Sequence, residues 1–153
     1  MKILLTILET VKQNTRQPDY MKTFYIALMK AELEEFKGDG PMTVFAPSNR
    51  AFDKLPENYM NELLNDPDKT KLKELLQRHV VGDIALKRKY LNETETKLKT
   101  VGGVELVITN PSRTQVIIQF PGGNATCLRD GTPFIASNGI MYLVDTVLTS
   151  EEA

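Results

Sequence analysis

The chain has 153 residues, 41% of them hydrophobic and 25% charged, with a net charge of −1. This is the size of one ordinary domain, long enough to bury a core without cross-links and too apolar to stay disordered. Without a basic excess, nucleic acid is excluded as the main partner.

The N-terminal stretch MKILLTILETVKQ opens like a signal peptide, but Glu9 and Lys12 interrupt the apolar run and no small-residue cleavage site follows. It reads instead as an amphipathic helix, with Leu4, Ile7, Leu8 and Val11 at helical spacing. Pro18 and Asp19 restart a second helix with an apolar stripe of Met21, Phe24, Tyr25 and Leu28. Gly38 to Pro41 is a turn, Thr43 to Ala46 a short buried strand, and Ser48 an N-cap for a helix carrying Ala51, Phe52 and Leu55. After Pro56, Tyr59, Met60, Leu63 and Leu64 mark another helix. Asp66-Pro67 reads as the cap and first turn of the next, which carries Leu72, Leu75, Leu76 and His79 and ends at Gly82.

From Val101 the period changes to that of strands. Strands are expected over 104–109, 114–120, 125–128, 134–136 and 140–148, and Asp130-Gly131 and Asn138-Gly139 are the strongest hairpin signals. Helices therefore come first and antiparallel strands second, an α+β layout in one domain over 1–153 with its core at about 6–148. No stretch is long and apolar enough for a membrane span. Cys127 is alone, so no intrachain disulfide forms, and its strand-like A-T-C-L setting marks it as buried.

The chemistry-bearing residues make a short case for catalysis. His79 is the only histidine, and leucines at i−3, i−4 and i−7 place it on a buried face. A hydrolase built on Ser48 and His79 is the weakest reading, because none of the known nucleophile, phosphate-loop or metal-protease motifs is present. Scattered acids beside one histidine make no metal set, and nothing calls for a cofactor. Lys37-Gly38-Asp39 is better explained as a turn than as an adhesive tripeptide. Lys87, Arg88 and Lys89, followed by Lys97 and Lys99, form a basic segment suited to an acidic polysaccharide or an anionic lipid surface, although Glu93 and Glu95 interrupt it. Asn92-Glu93-Thr94 and Asn124-Ala125-Thr126 are sequons, so Asn92 and Asn124 are candidate glycosylation sites if the chain is secreted.

Three motifs in order carry a resemblance. Thr43-Val44-Phe45-Ala46-Pro47-Ser48-Asn49-Arg50-Ala51-Phe52 resembles the first signature box of the fasciclin (FAS1) domain. Arg78-His79-Val80-Val81 resembles its central Tyr-His motif, and the run from Asn138 to Leu148 its second box. The resemblance covers roughly Thr6 to Leu148. It implies a wedge-shaped β-sandwich with helices around it, and a non-catalytic adhesion or matrix-interaction module, extracellular or at the cell surface. A cell-surface receptor or matrix protein is the implied partner, with an acidic glycan as the alternative. It also carries over Arg78, His79, Val80 and Val81 as the interaction site, and places Ser48 or Asn49 as a hydrogen-bond partner for His79. The chain departs from the family at three places. Arg78 stands where the tyrosine is usual, and Tyr142 where the second box usually has histidine. Pro133 and Phe134 replace the Asp-Ile pair of some integrin-binding members, which removes an acidic ligand for an integrin-bound metal.

Overall fold

The computed structural model describes residues 6–14, 21–33, 36, 38, 40–56, 58–87, 91, 95–112 and 114–148. Pro18, Asp19, Lys37, Asp39, Arg88, Lys89 and Asn92 lie outside them. In chain order the elements are α1 (Ile7–Gln13), α2 (Lys22–Ala31), β1 (Met42–Pro47), α3 (Asn49–Asp53), α4 (Tyr59–Asn65), α5 (Thr70–Gln77), β2 (Val80–Gly82), β3 (Thr96–Lys99), β4 (Glu105–Ser112), β5 (Gln115–Phe120), β6 (Gly123–Thr126), a 3-10 turn at Arg129–Gly131, β7 (Phe134–Ala136) and β8 (Gly139–Val144).

Two four-stranded sheets form, ordered β2-β1-β8-β7 and β3-β4-β5-β6. The expected antiparallel pattern holds throughout the second sheet. In the first sheet it does not, because β8 runs parallel to β1 from Thr43↔Ile140 to Pro47↔Val144. Both strands are buried at every position. They are apolar runs rather than alternating ones, as expected for strands covered on both faces. Val44, Ala46, Met141 and Leu143 face the helices, packing with Phe24, Leu28, Leu72 and Leu76. Phe45, Ile140, Tyr142 and Val144 face the second sheet and meet Leu106, Ile108, Val116 and Ile118. The first sheet is thus the middle layer between helices and the second sheet, and the fold is the α+β sandwich expected. Cys127 is buried in the inter-sheet core.

Local chemistry sets the starts of α1 and α3. Thr6 and Glu9 make a reciprocal capping box on α1: Thr6 Oγ1 accepts from Glu9 N, and Glu9 Oε1 accepts from Thr6 N at 3.0 Å. The Thr6 N–H and the Thr6 hydroxyl, both donating to Glu9 Oε1, hold that carboxyl below its ordinary pKa. Ser48 caps α3 as expected, its Oγ accepting from Ala51 N at 3.2 Å. Asp66-Pro67 does not cap α5, which starts at Thr70. Asp66 takes the Asp68 N–H instead, and Asp68 takes that of Thr70, so two short turns delay the helix. The helix also stops earlier than Gly82, at Gln77, and Val80 and Val81 pair with β1 as the edge strand β2.

The two hairpin signals resolve differently. Asp130-Gly131 lies in the 3-10 turn between β6 and β7, which belong to different sheets, so it makes a crossover and no hairpin. Asn138-Gly139 does close the β7–β8 hairpin, but neither residue has a positive φ. Asn138 is chosen for its side chain, which is buried. Its Oδ1 accepts from Ile7 N at 2.8 Å and its Nδ2 donates to Gly38 O at 3.2 Å, joining the start of α1 and the turn before β1 to the hairpin. Asn138→Ala strands the Ile7 N–H, so chemical denaturation should register a loss of about 1–3 kcal/mol. An unchanged midpoint would show that water replaces the amide.

Candidate functional site

The quartet Arg78–Val81 sits where α5 ends and β2 begins. His79, Val80 and Val81 are buried, with His79 only 1% exposed. Arg78 is the half-buried C-cap of α5 and the one member of the four with solvent access.

His79 is held from both sides of its ring. Nδ1 lies 2.8 Å from Leu75 O, and Nε2 accepts from Leu148 N at 2.9 Å. A carbonyl can only accept and a backbone N–H can only donate. The ring is therefore neutral, with its proton on Nδ1. Burial drives its pKa down from 6.5 to about 4, against the bond to Leu75, which raises it, and with the nearby Arg78 charge, which lowers it. The backbone of His79 also serves β1, its carbonyl accepting from Phe45 N at 2.8 Å. One residue thus joins α5, β1 and the chain leaving β8.

The expected partnership of His79 with Ser48 or Asn49 is not made. Leu75 and Leu148 fill both ring nitrogens, Ser48 Oγ caps α3, and Asn49 Oδ1 accepts from Thr23 N at 3.0 Å, tying α3 to the start of α2. With the Nε2 lone pair occupied by an N–H, the ring has no free base to offer a serine, and the Ser48–His79 dyad is not assembled. Among the described residues, no three His, Cys, Asp or Glu side chains gather as a metal set.

Other sequence candidates are dispersed. Tyr142, at the usual histidine position of the second box, is buried, stacks on Phe45 with ring centroids 5.8 Å apart, and donates its hydroxyl to Leu86 O at 2.7 Å. Phe134 lies under the Arg129 guanidinium, 4.0 Å from its ring centroid. Lys87, Lys97 and Lys99 are exposed, and the last two project from the same face of the edge strand β3. Glu105 stands opposite Lys99 on β4, which offsets part of that charge. Asn124 is exposed on the edge strand β6.

A feature that sequence reading missed lies beside Arg78. A cleft of about 440 Å³ runs between α4 and α5. Residues at i, i+3, i+4 and i+7 line each wall: Tyr59, Glu62, Leu63 and Asp66 on one side, Lys71, Glu74, Leu75 and Arg78 on the other. It stays open because α4 buries none of its residues fully. The charges at Lys71, Glu74 and Arg78 along α5 were the available signal, but only the packing of α4 shows that the stripe faces a cleft.

The comparisons with known proteins agree with this architecture. The fasciclin domain family model matches residues 19–150. Pig transforming growth factor-beta-induced protein ig-h3 is 26% identical over 153 residues, 99% of this chain but 21% of its own length. Human periostin is 22% identical over 99% of this chain and 17% of its own. The chain therefore spans about a fifth of these two relatives. An uncharacterised Synechocystis protein is 32% identical over 128 residues, 82% of this chain and 86% of its own. Among solved structures, a domain pair from the insect cell adhesion molecule Fasciclin I superposes with a TM-score of 0.62 at 22% identity, covering 83% of this chain and 44% of that one. With the family model spanning residues 19–150, most of the chain, this chain belongs to the fasciclin domain family.

Proposed function

We propose that the chain is a non-catalytic adhesion or matrix-interaction module, working as one domain over about 6–148, outside the cell or at its surface, through a receptor or matrix protein. Family membership supports this reading, and the observation that carries it is the state of His79. Both ring nitrogens are spent on backbone groups, so the residue with most catalytic promise acts as a structural joint, and Arg78 is left as the accessible part of the quartet. Among the described residues no helix is long and apolar enough to cross a membrane.

The test is attachment of the source organism's cells to wells coated with the folded chain. Attachment should saturate with coating density, vanish when the chain is unfolded before coating, and survive a divalent-cation chelator, since Pro133 and Phe134 replace the acidic pair. Cells that attach no better than to albumin would overturn the reading.

A second reading, binding of an acidic polysaccharide, draws on the paired exposure of Lys97 and Lys99 on β3, with Lys87 exposed nearby in sequence. It predicts retention on a sulfated-polysaccharide column that salt abolishes and that the Lys97→Glu, Lys99→Glu double variant loses. Retention indifferent to both would dismiss it. Asn124, exposed on β6, is the candidate glycosylation site among the described residues.

A further inference from the structure

We propose that the cleft between α4 and α5 docks an extended segment of a partner protein carrying an acidic and a basic side chain two residues apart. This rests on the interaction-module reading and names the chemistry of its partner.

The cleft has an apolar floor and a charged rim. Leu75 is buried and Leu63 half-buried, whereas Glu62, Lys71 and Glu74 are exposed and Asp66 and Arg78 are half-buried. Its volume of about 440 Å³ is within the range of sites that hold a compact ligand. Among the described residues no ion pair joins Glu62, Glu74 and Arg78. Glu74 and Arg78 are four residues apart, with the glutamate on the N-terminal side, which is the favourable order for pairing along a helix surface. Left open, Arg78 presents a planar fork of donors suited to a carboxylate. The two glutamates present acceptors to a cation.

The spacing suits an extended chain. Four residues of helix rise about 6 Å. Two residues of extended strand rise about 6.6 Å and put both side chains on one face. A strand lying along α5 can therefore set its acidic side chain at Arg78 and its basic one at Glu74, while the intervening residue points away. A polyanion fits poorly, because Glu62, Asp66 and Glu74 outnumber Lys71 and Arg78 in the lining. A sugar face would find only Tyr59 to stack on.

Two fluorescein-labelled capped peptides serve as probes, Ser-Glu-Ala-Lys-Ser and Ser-Lys-Ala-Glu-Ser, covering both chain directions. Fluorescence anisotropy should show saturable, salt-sensitive binding of at least one. Arg78→Gln should weaken it about tenfold or more, and Glu74→Gln by a similar factor. A peptide with glutamine for its glutamate should bind weakly and be indifferent to Arg78→Gln, which ties the carboxylate to that side chain. The Arg78→Gln protein should keep its melting temperature, since the guanidinium has no hydrogen bond among the described residues to lose. No saturable binding of either peptide at millimolar concentration, or binding unchanged by Arg78→Gln, overturns the proposal. Cells that still attach to the Arg78→Gln chain when no peptide binds would sink the cleft and leave the adhesion reading standing. Cells that ignore the unaltered chain would sink the adhesion reading itself.

Discussion

Gly139→Ala should be among the most damaging single substitutions in this chain. A β-carbon at Gly139 would overlap Met42 O and lie 3.1 Å from Met42 C, inside the backbone of β1. Those atoms cannot rotate away as a side chain would, and β1 is held on its other side by β2 and on both faces by core. Relief must come from separating β8 from β1 at the start of their parallel ladder, at Thr43↔Ile140. Overpacking costs typically about 1–3 kcal/mol and more where nothing yields, so roughly 3 kcal/mol or more is expected here. For a domain of this size that corresponds to about 10 °C in melting temperature.

Gly103→Ala is the matched control. Its φ is +84°, but an added β-carbon meets nothing within 4 Å. That change carries only the left-handed backbone penalty, about 1–2 kcal/mol. Urea unfolding of the two variants separates the causes. If Gly139→Ala proved no worse than Gly103→Ala, close approach to β1 would not be the reason for glycine at the hairpin.

The second large effect is on pH dependence. Burial favours the neutral form of His79 in the folded chain, with a pKa near 4 against 6.5 when exposed. The stability tied to this residue is therefore complete above about pH 6.5. It declines as the pH falls toward 4, because the unfolded chain takes up a proton that the folded chain refuses. The slope is about 1.4 kcal/mol per pH unit, and the total is roughly 3 kcal/mol. Below pH 4 this contribution levels off. Glu9 and Asp68, whose pKa values are lowered by bonds to Thr6 and Thr70, add acid sensitivity of their own at lower pH.

Two measurements isolate the histidine. An NMR titration of the His79 ring should give a midpoint near 4, and a midpoint near 6.5 would contradict the burial and tautomer described. His79→Ala should unfold more readily at neutral pH, since Leu148 N loses its ring partner and Leu75 O keeps only Arg78 N, by about 2 kcal/mol or more. In that variant the stability difference from the unaltered chain should shrink between pH 6.5 and 4, because only the latter has this proton linkage to lose. A constant difference across that window would mean that His79 does not titrate between the folded and unfolded states.

The sequence alone determined the parts that depend on local chemistry and on side-chain period. Ser48 caps α3 because a hydroxyl at that position can reach the amide three residues on, whatever surrounds it. The apolar run of β1 announced a buried strand, the second box announced a strand, and the leucines before His79 announced a buried ring. The three motifs in order were enough to point to the family. The tertiary structure decided what depends on distant residues meeting. Val80 and Val81 looked like the tail of a helix and became a strand because β1 offered an unpaired edge. The parallel pairing of β1 with β8 joins segments nearly a hundred residues apart, which no local period records. Asn138-Gly139 has the composition of a tight turn, yet the asparagine is there to bond Ile7 and Gly38, and the glycine because Met42 leaves no room. His79 takes one partner from its own helix, which sequence can suggest, and the other from Leu148, which only folding brings near. The cleft beside Arg78 belongs to the same class, since a charge stripe on α5 becomes a site only where α4 fails to close over it.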